Sequence, residues 1–405
     1  MWSTGKTRAL PSSSSATPVE LYLSLAIAAL ACILRPTNII IWLTVSMALL
    51  LRRGGHNKII ASSQAALLSG GAILAISVSA DKLFYQDWVL PPLRFLQFNL
   101  VQSLAVFYGK NRPDYYLTEG LPLLLTTALP FAAIGLWNAL RPSRSDRRSG
   151  ASVQEQMTSV LALTVVSSVV TLSMISHKEM RFIYPLLPAL HILAAEPLAK
   201  FFTPFPWSTK TYRMVLLLLL VSANACIAWY TLFVHQRGVI DVMHYLRNQH
   251  VRPDPALQAL RAEGTASPGI SVGFLMPCHS TPWMSHFIYP EIDAWALTCE
   301  PPLNLSLAER ESYMDEADIF YAAPAVWIHD NMPPKPTSRA QHNVSVDDSH
   351  RRAWPDYLVF FEQLEETMTA ILGPGHYNES WRGFNTHWHD DWRRRGDVIV
   401  WRRQR

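Results

Sequence analysis

Five consecutive leucines, Leu216 to Leu220, sit inside an apolar run from Met214 to Val234. A helix needs about 20 apolar residues to cross a bilayer, and this run meets that length. Six further apolar runs precede it: Leu21 to Leu34, Ile39 to Leu51, Ile59 to Ala80, Leu121 to Leu140, Met157 to Ile175 and Phe182 to Ala195. The first is short for a span, and the sixth is interrupted by Pro185 and Pro188. In lipid each must be helical, because a backbone N–H or C=O finds a partner there only within its own segment. The pattern predicts a polytopic α-helical membrane domain of about seven helices over residues 20–235. A Ser-rich polar segment, 1–19, precedes it without a signal-peptide cleavage pattern.

Composition shows that the membrane domain is not the whole chain. Of 405 residues, 49% are hydrophobic and only 16% charged, against about 25% charged in average soluble domains. The mean hydropathy is nevertheless only +0.09, too polar for a chain lying wholly in lipid. Up to Val234, nineteen Lys and Arg stand against nine Asp and Glu; from His235 onward the counts are sixteen and twenty-two. The basic half is the apolar half. Its positive charge falls in short loops between apolar runs, so the sequence pI near 8.8 points to membrane topology rather than to nucleic acid. Residues 236–405 are expected to form a water-facing domain of mixed α and β structure.

Lys and Arg residues favour the cytosolic side of short loops. Arg52, Arg53 and Lys58 fall between runs two and three. Arg141, Arg144, Arg147 and Arg148 fall between runs four and five, and Lys200, Lys210 and Arg213 between six and seven. Seven alternating helices put all of these, with Lys6 and Arg8, on one face. The long loop 81–120, the turn around His177 and the C-terminal domain then lie on the other. That domain contains three glycosylation acceptor patterns, at Asn304, Asn343 and Asn378. It also contains Cys278 and Cys299, which can pair in an oxidising lumen. Cys32 and Cys226 lie in apolar runs and read as packed free thiols. Together these features place the chain in the endoplasmic reticulum membrane, multi-pass, with its C-terminal domain luminal.

The densest ionisable cluster is Ser176-His-Lys-Glu-Met-Arg-Phe-Ile-Tyr-Pro185, at the junction of two apolar runs. Charges at membrane depth are costly and tend to mark polar-ligand sites. His177 and Glu179 can move protons or bind hydroxyls, and Lys178 and Arg181 can neutralise a phosphate. A solvated helix–helix turn carries equal weight on composition alone. The loop 81–120 adds Asp81, Tyr85, Trp88, Arg94, Asn99, Tyr108, Asp114, Tyr115 and Tyr116; an interfacial aromatic belt is the simpler reading there. Arg35, between runs one and two, suits a phosphate or a snorkelling helix end equally well. His387-Trp-His-Asp-Asp391 is followed by three arginines, Arg393 to Arg395, which favours an ion-paired turn over a metal site. The expectation is no metal and no cofactor.

The stretch His177-Lys-Glu-x-Arg181-Phe182, followed by Tyr184-Pro185, resembles the signature of glycosyltransferase family 22, whose members are endoplasmic-reticulum mannosyltransferases of GT-C fold. Phe95-Leu-Gln-Phe-Asn99, Phe107-Tyr-Gly109 and Tyr116-Leu-Thr-Glu-Gly-Leu-Pro122 are similar to family segments as well. So are Phe274-Leu-Met-Pro-Cys-His-Ser-Thr-Pro282, Trp354-Pro-Asp-Tyr and Trp388 through Trp401. The C-terminal motifs resemble a fungal-type branch acting on glycosylphosphatidylinositol (GPI) precursors. The resemblance implies transfer of a third mannose, in α-1,2 linkage, from dolichol-phosphate-mannose to a lipid-linked GPI precursor with inversion at the anomeric carbon. It implies substrate contacts by His177, Lys178, Glu179, Arg181, Arg35, Asn99 and Tyr108. The family's base, an Asp of an acidic first luminal loop, has no matching motif before Arg35, so the chain is expected to be an N-terminally shortened form. Asp81 and Asp114 are weak substitutes. Arg112-Pro-Asp114 stands where relatives usually carry Trp-His, which bears on acceptor contacts. The alternatives are another lipid-linked-oligosaccharide mannosyltransferase, a non-catalytic homologue, and a transporter, for which no internal repeat is seen.

Overall fold

The computed structural model describes residues 18–53, 56–101, 104–141, 152–203, 211–253, 269–303, 305–306, 309–310, 312–333 and 351–404. The chain forms two compact units, Met1–Val221 and Ser222–Arg405. The division falls inside the last apolar helix, whereas the sequence places the junction at its end, at 235.

The first unit is helical. Its elements are α1 (Pro18–Leu34), α2 (Asn38–Arg53), α3 (His56–Tyr85), α4 (Pro91–Leu96), α5 (Leu121–Leu125), α6 (Leu129–Leu140), α7 (Val153–Ser173) and α8 (Leu187–Phe202), with α9 (Thr211–Phe233) running on into the second unit. Five stretches are long and apolar enough to cross a membrane: Ile59–Tyr85, Tyr116–Leu140, Val153–Ser173, Met180–Phe202 and Thr211–Val251, whose apolar part is α9. Pro18–Leu34 and Asn38–Ala48 are shorter apolar helices. These seven coincide with the seven apolar runs of the sequence.

Two local differences have physical causes. The loop expected from 81 begins later, because α3 continues through Asp81 to Tyr85. Lys82 in its last turn suits the negative end of the helix dipole, and Gln86 ends the helix at positive φ. Much of the remaining segment is short helix and π or 3₁₀ turn, Pro91–Leu96, Gln97–Val101, Leu104–Tyr108 and Tyr116–Gly120. Pro185 shapes the sixth run into a 3₁₀ turn, Met180–Leu186, before α8 starts with Pro188 in its first turn. Proline lacks the N–H that an α-helix interior needs but fits a first turn.

Helix α7 starts with a capping box: Ser152 Oγ accepts from Glu155 N–H at 3.2 Å, and Glu155 accepts from Ser152 N–H at 2.8 Å. Helices α6 and α8 touch backbone to backbone at Gly135, where an added Cβ would lie 1.9 Å from the Leu193 carbonyl oxygen. Small residues at such crossings let membrane helices approach closely. Across α2 and α7, Thr44 and Ser167 share a 2.8 Å hydroxyl hydrogen bond. No described residue of α9 is buried within the chain. Cys226 on that helix is accordingly exposed rather than packed, while Cys32 is half-buried.

The second unit is built on a five-stranded mixed sheet. Its strands are β1 (Ile270–Phe274), β2 (Ile292–Ala296), β3 (Tyr357–Phe361), β4 (Tyr377–Thr386) and β5 (Gly396–Arg403), in the order β2-β1-β3-β5-β4. β1 runs parallel to β2 and β3; β5 is antiparallel to β3 and β4. Among the described residues, helices α10 (Gly238–Val251), α11 (Glu316–Ala322), α12 (Pro324–Asn331) and α13 (Glu365–Leu372) also belong to it. β3 reads Tyr-Leu-Val-Phe-Phe, and all five residues are buried. Alternate side chains face opposite sides of a strand. Tyr357, Val359 and Phe361 pack with Val242, Met243 and Leu246 of α10, while Leu358 and Phe360 pack with Phe320, Trp327 and Met368. Both sheet faces are covered, which is why this strand is a continuous apolar run.

Candidate functional site

The His-Lys-Glu cluster occupies the turn between α7 and α8, and three chain segments meet there. Arg35, in the turn between α1 and α2, donates from its guanidinium to the Arg181 carbonyl oxygen. Arg181 in turn binds Glu179, with Nη2 2.8 Å from Oε1. His177 Nε2 lies 3.0 Å from the same Oε1, and its Nδ1 lies 2.8 Å from the Gly109 carbonyl oxygen. Both ring nitrogens thus face oxygens that only accept, an arrangement fully hydrogen-bonded when both carry protons. Gly109 adopts φ +127°, a backbone conformation that a side chain would strain. This glycine therefore lets the chain present its carbonyl to His177.

Lys178 is buried, at 4% exposure. Its ammonium donates to the Asn111 carbonyl oxygen at 3.3 Å, and its backbone N–H donates to Asn111 Oδ1 at 2.8 Å. Asn111 N–H donates in return to the Ser176 carbonyl oxygen at 3.1 Å. Asn111 is therefore the strut between the 109–116 segment and the charged turn. In the sequence it stands two residues after the Phe107-Tyr-Gly109 segment, with nothing to mark this role. No carboxylate pairs with the Lys178 ammonium among the described residues. An ammonium held out of water with only carbonyl contact is costly unless an anion arrives to share the site.

Burial pushes the Glu179 carboxyl up, but hydrogen bonds from Arg181 and His177 outweigh it and hold Glu179 below its ordinary value. Burial, followed by the charge of Arg181, holds the Arg35 guanidinium below its own. Beside Arg35, two buried side-chain oxygens, Thr37 Oγ1 and Asn38 Oδ1, have no hydrogen-bond partner among the described residues. The site thus gathers three basic side chains, Arg35, Arg181 and His177, around one carboxylate, with Lys178 held on Asn111 in the same turn and unsatisfied oxygens at the edge. Such a set can hold a phosphate and orient hydroxyl groups.

The other expected site residues are distributed differently. Asn99 donates its side-chain amide to the Phe95 carbonyl, one turn back, at 2.8 Å. Of Tyr108 only the backbone is described, at the end of a 3₁₀ turn. Asp114 pairs with exposed Arg112 at 3.2 Å, three residues beyond Asn111. Asp81 stays in the last turns of α3, and no described contact takes it to the charged turn. Tyr116 is fully buried and joins Ile183 in the same core cluster.

In the second unit, Cys278 and Cys299 form a disulfide. They also approach Asp315, but disulfide sulfurs are not thiolate ligands. The turn after His387 is an ion-paired structure. Arg393 binds Asp391 at 2.9 Å and Asp318 at 2.8 Å, and Arg394 lies 3.4 Å from Asp391. His389 Nδ1 accepts from Asp391 N–H. Asn378 is exposed on β4, while Asn304 and Asn343 lie outside the described residues, as do Lys6, Arg8, Arg144, Arg147, Arg148 and Lys210.

The Alg9-like mannosyltransferase family matches residues 1–288, more than half of the chain. The chain belongs to this family. The charged turn of the first unit lies within the matched region. Among curated relatives, a GPI mannosyltransferase 3 of Aspergillus fumigatus is 47% identical over 93% of this chain and 51% of its own length. One of Emericella nidulans is 48% identical over 83% of this chain and 52% of its own. A mouse GPI alpha-1,2-mannosyltransferase 3 is 33% identical over 92% of this chain and 58% of its own. The chain spans about half the length of these two fungal relatives. No solved structure matches it.

Proposed function

We propose that the chain serves an inverting α-1,2-mannosyltransferase reaction in the endoplasmic reticulum membrane. In that reaction a third mannose passes from dolichol-phosphate-mannose to a lipid-linked GPI precursor. The observation that carries this reading is the charged turn itself, where Arg35, Arg181 and His177 gather at Glu179 and where buried Lys178, held on Asn111, has no carboxylate partner among the described residues. An acceptor hydroxyl attacks the anomeric carbon on the face opposite the lipid phosphate and loses its proton to a base. The sugar–phosphate C–O bond breaks, and dolichyl phosphate departs with the electron pair. The cations stabilise the charge growing on that phosphate, and in this reading no metal or other cofactor is needed. Glu179 orients Arg181 and His177 through its hydrogen bonds.

The names of the relatives support the substrate, and the disulfide and exposed Asn378 acceptor support a luminal C-terminal unit. Orientation is tested by endoglycosidase treatment of the expressed protein: a downward gel shift is expected, lost in Asn378→Gln when the other two acceptors are also removed. An unchanged mobility in the parent chain removes this support.

The reaction is tested in cells that lack third-mannose addition, by restoration of surface GPI-anchored proteins. The chain is expressed alone and fused behind the family's acidic first luminal loop. The fused form is expected to restore surface display. Lys178→Ala in that form should slow mannosyl transfer about a hundredfold or more, the scale of losing one charge-stabilising contact, and lower surface display with it, while Lys178→Arg retains a larger share. Full display with Lys178→Ala would remove the basis of the reading.

A further inference from the structure

The segment Met276-Pro-Cys-His-Ser-Thr-Pro282 takes no part in the charged site of the first unit. Its residues His279 to Pro282 form one wall of an open cavity of 460 Å3 within the second unit, inside the roughly 300–1,000 Å3 range of small-ligand sites. The opposite wall is the end of α9 and the start of α10, including Thr231, His235, Gln236 and Ile240. Two of the lining residues, Gln236 and His279, are non-glycine residues at φ +57°. Such strained positions persist only where surrounding structure enforces them, and they gather at binding sites. Here the enforcing contacts are visible. Gln236 N–H donates to the Asn385 carbonyl at 2.7 Å. The 276–282 segment is fixed by the Cys278–Cys299 disulfide and by Arg394, which donates to the Cys278 carbonyl at 2.6 Å.

The chemistry of the lining selects a class of ligand. Arg237 faces the cavity but is neutralised by Asp241 at 2.8 Å, so an anion gains little there. Thr281 Oγ1 accepts from the Trp283 indole N–H at 2.9 Å, which leaves its own hydroxyl proton to donate outward. The Thr386 hydroxyl donates to the Trp388 carbonyl at 2.7 Å, so the 3.0 Å contact between His235 Nδ1 and Thr386 has the histidine as donor. With Nδ1 as the donor, Nε2 is the ring position left to meet a ligand hydroxyl. A free hydroxyl donor, a ring nitrogen and an arginine already paired with a carboxylate match a hydroxylated ligand without net charge. An aromatic stack stands alongside: Trp388 is parallel to Tyr230 at 5.3 Å and to His235 at 5.9 Å. Because α9 carries the apolar run 214–234 and Thr231 lies in its last turns, the cavity lies at the end of a helix apolar enough to cross a membrane.

We propose that this cavity is a carbohydrate-binding site for a single neutral hexopyranose, supplied either as the headgroup of a membrane glycolipid or as free sugar. It stands whether or not the catalytic reading of the first unit holds. The test uses the full chain in phosphatidylcholine nanodiscs and an octyl α-mannoside carrying a diazirine on the first carbon of its alkyl chain. After irradiation and digestion, adducts are expected on residues 231–240 and 279–282. Excess unlabelled octyl α-mannoside should reduce them about tenfold, while octyl phosphocholine should leave them unchanged. Competition by methyl α-mannoside as well identifies free sugar as sufficient; competition by the octyl glycoside alone identifies a membrane headgroup. Ile240→Trp, which fills the cavity from a partly exposed helix position, and Thr281→Val, which removes the donor, should each lower labelling about tenfold. Circular dichroism checks that each variant is folded. Adducts absent from both segments, equal competition by octyl phosphocholine, or undiminished labelling in a folded Thr281→Val protein would overturn the proposal.

Discussion

Two carboxylates show how single residues set the chemistry of each unit. Glu179 holds Arg181 and His177 together, so Glu179→Gln should release both while leaving Lys178 on Asn111. In the fused, complementing form, surface display should fall, and Glu179→Asp should recover part of it if reach and charge are what matter. Asp391 plays a structural counterpart in the second unit. Burial pushes its carboxyl up, but hydrogen bonds from Arg393 and its charge hold it below the ordinary value. A carboxyl lower in the folded than in the open chain adds stability above its open-chain pKa, and that contribution is lost as pH falls through the folded value. Acidification below about pH 4, the unperturbed range for Asp, should therefore lower the melting temperature of the second unit. Asp315 and Asp397, pushed up chiefly by burial, act with the opposite sign. The comparison of parent with Asp391→Asn isolates the Asp391 contribution: the variant should show a shallower acid slope in tryptophan-fluorescence melts. The sequence singles out His177, Lys178, Glu179, Arg181 and Arg35 because charge between apolar runs is rare, and the structure brings Arg35, Arg181, Glu179 and His177 together. Asn111 was not legible, because its role is a backbone bridge to a segment 67 residues away that no local pattern encodes.

At the scale of elements, packing decides which helices and strands stay together. In β3 every side chain is buried, and Phe360 is fully so. Phe360→Ala should cost about 3–5 kcal/mol, read as an earlier denaturation midpoint of the second unit. In the first unit, Gly135→Val would drive a branched side chain into the Leu193 carbonyl, whose oxygen lies only 1.9 Å from where the new Cβ would stand. It should separate α6 from α8 and lower thermal stability, while Ala132→Gly on the same helix should be mild. The Thr44–Ser167 hydrogen bond should show a coupling of about 0.6 kcal/mol in a double-mutant cycle, the mean for such pairs in membranes. The seven apolar runs were readable because lipid permits little but helix. The strands were readable only as a mixed α/β domain. Their order, with β3 and β5 interior, depends on which distant segments pair, and composition does not carry that information.

At the scale of the molecule, the Cys278–Cys299 bridge closes a loop of 21 residues in sequence separation. Replacing both with Ser should destabilise the second unit by about 2–4 kcal/mol. It should also loosen the cavity wall that the 276–282 segment provides, measured as faster proteolysis there. The burial of Lys178 has a wider consequence. A fold that keeps from water an ammonium with only a carbonyl contact among the described residues is weaker than it needs to be until an anion enters. Ligand and fold are then thermodynamically linked: whatever neutralises Lys178 also raises the melting temperature. Dolichyl phosphate should protect the first unit against heat, and Lys178→Met should be more heat-resistant than the parent yet indifferent to the lipid. On that account the fold trades resilience at rest for readiness toward an anionic ligand, and a thermal-shift screen against anionic polyprenyl lipids becomes an assay of recognition that needs no turnover.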